Sequence, residues 1–202
     1  MSKKDKDGQI MQYDNALQVW SLQNELLLTY GIDTVKRSFT FNGDIDKDSF
    51  HQLDIKMSLL ERNGNEKRPE PIIIRVSSGG GDISAAWAMA ARIMSSPCDV
   101  VVETYGEIMS SATILLAAAD KRRSSRYCIF MFHEASAGIE GKVRDIQDTV
   151  KYFDREEQMY CDFLGKKSKR SSKFWKKMLS SKKDVYLDVN QMILLGLIDE
   201  VF

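Results

Sequence analysis

Three short apolar runs rich in β-branched residues punctuate the middle of the chain, and each leads through a turn into a helix-forming stretch. Pro71-Ile-Ile-Ile-Arg-Val76 precedes the turn Ser77-Ser-Gly-Gly-Gly-Asp82 and a small-residue helix from Ile83 to about Met94. Val100-Val-Val102 precedes a turn at Gly106 and an Ala/Leu helix over Ser110–Ala119. Tyr127 to Phe132 ends at His133 and precedes a long helix over about 142–164. Short apolar runs bounded by glycine read as buried strands. Strands that alternate with helices need crossovers between parallel neighbours. The pattern therefore predicts an α/β fold with mainly parallel strands.

The flanks are organised differently. Residues 1–12 are polar and read as mobile. A helix is expected from about Asp14 or Asn15 to Tyr30, with Leu17, Trp20, Leu22, Leu26 and Leu27 giving it a generous apolar surface. Burial against the main domain or a neighbouring subunit would account for that surface. A short strand follows at Arg37–Gly43, then Phe50, Leu53, Met57 and Leu60 recur at helical spacing. Asn63-Gly64-Asn65 and Pro69 break the chain. Val189 to Phe202 reads as a short helix, a glycine stop and a last strand.

Composition narrows the function classes. The 202 residues carry 29 basic and 29 acidic side chains, so no global field favours nucleic acid or a membrane surface. Residues 166–183 hold nine basic residues and no acidic one, yet Phe174 and Trp175 are adjacent rather than spaced for base stacking. That run reads as a solvated lysine-rich face. No run is apolar enough to span a bilayer, and the N-terminus has no secretory h-region, so a cytoplasmic location is expected. Cys98, Cys128 and Cys161 match neither a zinc pattern nor a disulfide framework and read as reduced thiols. No metal or cofactor is expected.

Two turns could carry chemistry. Gly79-Gly80-Gly81 opens a helix and leaves backbone N–H groups free for an anion, but it lacks both the phosphate-loop and the dinucleotide spacing. A tight turn without chemistry and an oxyanion hole are both open. Ser110 lies between a strand and a helix, where an N-cap is the ordinary reading. It also lies past the C-terminal end of a strand, where open α/β sheets build their sites. Of the two histidines, His51 sits among polar neighbours on an amphipathic helix, whereas His133 ends an apolar strand. Asp184, Asp188 and Asp199 are all candidates for an orienting acid, and spacing selects none of them.

Together these segments resemble the proteolytic subunit of the ATP-dependent Clp protease (the ClpP family) from about Arg37 to Phe202. Ser77-Ser-Gly-Gly-Gly81 is similar to that family's Asn-Ser-Pro-Gly-Gly. Gly106-Glu-Ile-Met-Ser110-Ser-Ala is similar to its Gly-Gln-Ala-Ala-Ser-Met-Gly, and Ile129-Phe-Met-Phe-His133 to its Val-Met-Ile-His. The tail from Asp184 through Gly196-Leu-Ile-Asp199 is similar to the family's terminal pattern. The resemblance implies a ClpP/crotonase-like fold with a projecting handle helix at 142–164, an N-terminal extension and helix over 1–36, and a peptidase domain over 37–202. It implies Ser110 as nucleophile, His133 as base, Asp184 as orienting acid, and the N–H groups of Gly81 and Ser111 as the oxyanion hole. Gly80 would shape the turn. Ser111 is the alternative nucleophile if the register slips by one.

It further implies a homo-oligomer of stacked heptameric rings, a Clp-type unfoldase ATPase as partner, and polypeptide substrates, with neither nucleic acid nor membrane involved. Gly79 stands where the family has Pro, Ser111 stands where it has Met, and the first thirty-odd residues do not align. These departures suggest a divergent branch, with a phage origin and a host-cytoplasmic location as one hypothesis; a gene lying among ordinary chromosomal genes would count against it. Alternatives are a catalytically silent ring subunit, a phage head-maturation protease and an acyl-CoA hydratase-like enzyme. The last would need a second acid beside Glu107.

Overall fold

The computed structural model describes residues 3–62, 70–134, 138, 140–180 and 184–202, and for residues 3–14 the backbone alone. The break expected at Asn63-Gly64-Asn65 and Pro69 lies outside them, as does part of the segment after His133. One eight-stranded sheet organises the chain. β1 (Ile32–Asp33) pairs antiparallel with β2 (Ser38–Asn42), which runs parallel to β3 (Ile72–Ser78) and through it to β4 (Val100–Met109). The parallel series continues through β5 (Lys121–Ser124) to β8 (Glu200–Val201).

β4 is the hinge of the architecture. Its first half, Val101–Thr104, pairs with β5, while its second half, Glu107–Met109, pairs with β6 (Ile129–Phe132). β6 then takes β7 (Val185–Leu187) as an antiparallel neighbour. Gly106 was expected to end the strand. Instead β4 runs through it at φ +61°, with a register shift against β3 between Val76 and Ser78. A bulge of this kind bends a strand without ending it. Here it lets one strand serve two neighbours. β5 and β7 are charged or short, and neither was expected from the sequence.

Helices cover the sheet. α2 (Lys47–Arg62) buries Leu53, Met57 and Leu60, the apolar stripe legible in its sequence. α3 (Ile83–Met94) starts at Asp82, whose carboxylate accepts from the Ala85 N–H, and buries alanines that allow close approach to α4 (Ala112–Ala118). α5 (Val143–Lys167) is buried only toward its C-terminal end, at Tyr160, Cys161 and Leu164. Its earlier turns expose Val143, Val150 and Tyr152. α6 (Ser172–Leu179) lies in the basic run but buries Trp175 completely, its ring 5.1 Å from that of Phe132 in β6. α7 (Val189–Leu195) ends at Gly196 in the left-handed region.

The first helix departs from expectation. α1 spans Lys3–Tyr30 rather than starting near Asp14. Its early residues contain no proline, so nothing in them stops the helix. Leu17, Trp20, Leu27 and Leu28 remain exposed, and Leu26 packs against the core. Among the described residues of this helix, most of the large apolar side chains are therefore left uncovered. Cys98, Cys128 and Cys161 are buried free thiols.

Candidate active site

Sheet register brings three distant side chains together. β4 and β6 pair Met109 with Met131, and the Ser110 N–H donates to the Met131 carbonyl at 2.9 Å. Ser110 and His133 thus emerge from the same end of two adjacent parallel strands. β6 and β7 pair Phe132 with Val185. In an antiparallel ladder the next residue on one strand faces the preceding residue on the other, so His133 faces Asp184. The result is Ser110 Oγ at 2.7 Å from His133 Nε2, and His133 Nδ1 at 3.5 Å from Asp184 Oδ1. The second separation is longer than a hydrogen bond, and the Asp184 side chain is 53% exposed.

The competing acids are engaged elsewhere. Asp188 caps α7 in a reciprocal capping box with Gln191. Asp199 forms a bidentate pair with Arg122 at 2.7 and 2.9 Å. His51 is exposed on α2 and is not among the residues that line the cleft with Ser110 and His133.

Ser110 occupies the left-handed region at φ +52°, a conformation that costs a non-glycine residue about 1–2 kcal/mol. Its surroundings hold it there. Besides the bond to Met131, its carbonyl accepts from the Thr113 N–H at 3.1 Å and from Thr113 Oγ1 at 2.6 Å. Thr113 Oγ1 is bonded in turn to the Tyr160 hydroxyl of α5. Burial pushes the Tyr160 hydroxyl well above its ordinary pKa, so it stays protonated and donates. A sharp turn that lifts a serine from a strand end into a helix is the geometry of a nucleophile elbow. Ser111 is not a side-chain cap, because its hydroxyl donates to the Gly81 carbonyl at 3.1 Å.

The glycine turn leans on this elbow. A Cβ on Gly80 would stand 2.8 Å from the Met109 carbonyl oxygen and 2.8 Å from Ser110 Cβ, so only glycine fits. Gly81, at φ +144°, packs against the Ile45 backbone, and a Cβ there would collide with the Ile45 carbonyl. Ile45 fastens the turn from both sides. Its N–H donates to the Gly80 carbonyl at 2.8 Å and its carbonyl accepts from the Asp82 N–H at 2.7 Å. Among the described residues, the N–H groups of Gly81 and Ser111 have no hydrogen-bond acceptor. Both border a cleft of about 420 Å³ that also holds Ser110 and His133. No group of residues able to hold a metal ion occurs among the described residues.

Ile83 and Ile114 line the cleft beyond the serine, with Phe153, Glu157 and Tyr160 from α5. Sequence reasoning missed Thr113, Tyr160 and Glu157. Thr113 lies one helical turn past Ser110. Glu157, Tyr160 and Leu164 continue at helical spacing the stripe that Val143, Ile146, Val150 and Phe153 mark along this helix in the sequence, so a longer reading of that stripe would have found Glu157 and Tyr160.

The parallel sheet, forked central strand and projecting α5 make this a protein of the ClpP fold. Its structure matches that of a ClpP1 point mutant from Listeria monocytogenes with a TM-score of 0.74, at 22% identity, over 84% of this chain and 92% of that one. The chain belongs to the Clp protease family, whose model matches residues 27–202. It is 25% identical over 196 residues to an ATP-dependent Clp protease proteolytic subunit 1 of Rhodopirellula baltica, covering 93% of this chain and 82% of the relative. It is 29% identical over 172 residues to an ATP-dependent Clp protease proteolytic subunit of Dehalococcoides mccartyi, covering 83% and 82%. Among the described residues no helix is long and apolar enough to cross a membrane.

Proposed function

We propose that this chain is a serine endopeptidase subunit that hydrolyses peptide bonds in unfolded polypeptides. The observation that carries this reading is the 2.7 Å contact between Ser110 Oγ and His133 Nε2 on a left-handed serine turn. Ser110 Oγ attacks the scissile carbonyl while His133 Nε2 takes its proton. His133 then returns the proton to the leaving amine, and water, activated by the same imidazole, releases the acyl group from Ser110. Asp184 orients the imidazole and balances its charge. The Gly81 and Ser111 N–H groups receive the tetrahedral oxyanion, where one donor is worth about 2.7–4 kcal/mol of barrier. In this reading residues 1–36 are an N-terminal extension and helix, and residues 37–202 are the peptidase domain.

The assembly is part of the proposal. The exposed Val143, Val150 and Tyr152 on α5, and Leu17, Trp20 and Leu28 on α1, supply apolar surface for neighbouring subunits in stacked heptameric rings. A Clp-type ATPase delivers unfolded chains to the chamber in the cytoplasm. Labelling with a fluorophosphonate probe tests the chemistry: wild type takes the probe and Ser110→Ala does not. Light scattering tests the assembly, and a mass near one protomer would contradict it.

A second reading, a catalytically silent ring subunit, is favoured by the 3.5 Å gap between His133 and Asp184. Absence of probe from assembled wild type would select it.

A further inference from the structure

The cleft beyond Ser110 combines apolar walls with two carboxylates, Asp82 and Glu157. Ile83, Ile114, Phe153 and Leu179 form the walls, and Glu157 projects from α5 among them. The Lys176 cation offsets its charge only in part, because burial and the Glu134 carboxylate outweigh it. Among the described residues Glu157 has neither a hydrogen bond nor an ion pair. Lys176 Nζ, on the adjacent α6, donates to Gln158 Oε1 at 3.0 Å instead. Asp82, the other carboxylate on the cleft, is committed to the Ala85 N–H at the start of α3. Glu157 is partly buried, and burial together with the Glu134 carboxylate raises its pKa. An ionised carboxylate in this position is under-compensated, and a cation arriving from outside would relieve it.

From this geometry, and resting on the peptidase reading, we infer that Glu157 makes the cleft a subsite for lysine or arginine at the residue that supplies the scissile carbonyl. That residue's side chain leaves the carbon next to the carbonyl held by Ser110, Gly81 and Ser111, so it is the one that enters the cleft. A long aliphatic stem fits the walls of Ile83, Ile114, Phe153 and Leu179 while its charged end reaches the carboxylate. An apolar side chain would fill the same walls but leave Glu157 buried against hydrocarbon, which selects against it. A glutamate side chain would add like charge.

Binding and turnover read this subsite separately. Fluorescent acyl-Ala-Ala-X amides, with X as Lys, Arg, Leu or Glu, are titrated into assembled Ser110→Ala protein by anisotropy. The matching aminomethylcoumarin peptides are hydrolysed by wild type. The Lys and Arg peptides are expected to bind and to turn over about tenfold better than Leu, the scale of a charge-assisted hydrogen bond. Glu157→Gln should remove that ratio, and Glu157→Lys should move the preference to the Glu peptide. Equal or better binding of the Leu peptide, or a Lys preference that survives Glu157→Gln, overturns the inference. A Lys preference in binding alongside wild type that takes no fluorophosphonate leaves the subsite standing and removes the peptidase reading instead.

Discussion

Tyr160 of α5 and Thr113 of α4 share a buried hydrogen bond directly beneath the serine turn, and Thr113 passes it on to the Ser110 carbonyl at 2.6 Å. The projecting helix is thereby tied to the residue that presents the candidate nucleophile. Tyr160→Phe removes one bond but leaves Thr113 able to hold Ser110. Thr113→Val removes both and leaves the buried Tyr160 hydroxyl without an acceptor. A lost bond costs about 1 kcal/mol, and an orphaned buried group about 1–3 kcal/mol. Thermal denaturation should show Tyr160→Phe lowering Tm by about 2–4 °C, and Thr113→Val lowering it further and slowing fluorophosphonate labelling more. The reverse order would mean that the chain of donors runs otherwise.

Asp184 should matter less than an enclosed acid would. Substituting the acid of a fully formed triad by the amide costs roughly 10⁴-fold in turnover. With its side chain 53% exposed and 3.5 Å from His133, Asp184→Asn is expected to cost less, around 10²-fold. Asp188→Asn keeps an N-capping side chain and should leave peptide hydrolysis within about twofold of wild type. Peptidase assays on the two variants side by side distinguish the acids, and a larger loss from Asp188→Asn would reassign the role.

The three consecutive glycines are not equivalent. A Cβ on Gly79 would find Glu107 Oε1 at 3.7 Å, an ordinary contact, whereas one on Gly81 would collide with the Ile45 backbone at a φ of +144°. Gly79→Ala should therefore leave Tm nearly unchanged. Gly81→Ala should destabilise by about 1–3 kcal/mol, the cost of a strained backbone position, and lower probe labelling by displacing its N–H. Calorimetry with the labelling assay checks both.

Acid stability should depend on Asp199. Burial acts to raise its pKa, but the hydrogen bonds from Arg122 outweigh burial, and the net shift is downward from the ordinary 3.8. A carboxyl lowered in the folded state stabilises fully above its unfolded value, and the benefit is lost as pH falls through the folded one. The Tm advantage of wild type over Asp199→Asn should be constant from about pH 5 to 7 and shrink below about pH 4. An advantage that grew on acidification would contradict the pairing.

Local chemistry explains what could be read early. β-Branched runs at Ile72–Val76 and Val100–Val102 declare buried strands because little else tolerates them. Ser110 and His133 lie at strand ends, and strand ends are visible in a hydrophobic pattern. Gly106 was misread as a turn because a glycine with positive φ serves a turn or a bulge equally well. β5 and β7 were missed because their pairing comes from neighbours rather than from their own side chains.

The sequence alone determined the alternation of strand and helix, the glycine turn and the short list of candidate residues, because these follow from periodicity and backbone preference within a few residues. Periodicity and spacing left three acids open and only the resemblance pointed to Asp184; which acid faces His133 depends physically on how β7 registers against β6 across some fifty positions of chain. Tertiary structure alone decided that one β4 serves two neighbours, and that Glu157 and Tyr160 line the same cleft as Ser110. Such contacts are fixed by packing between distant segments, and no local preference encodes them.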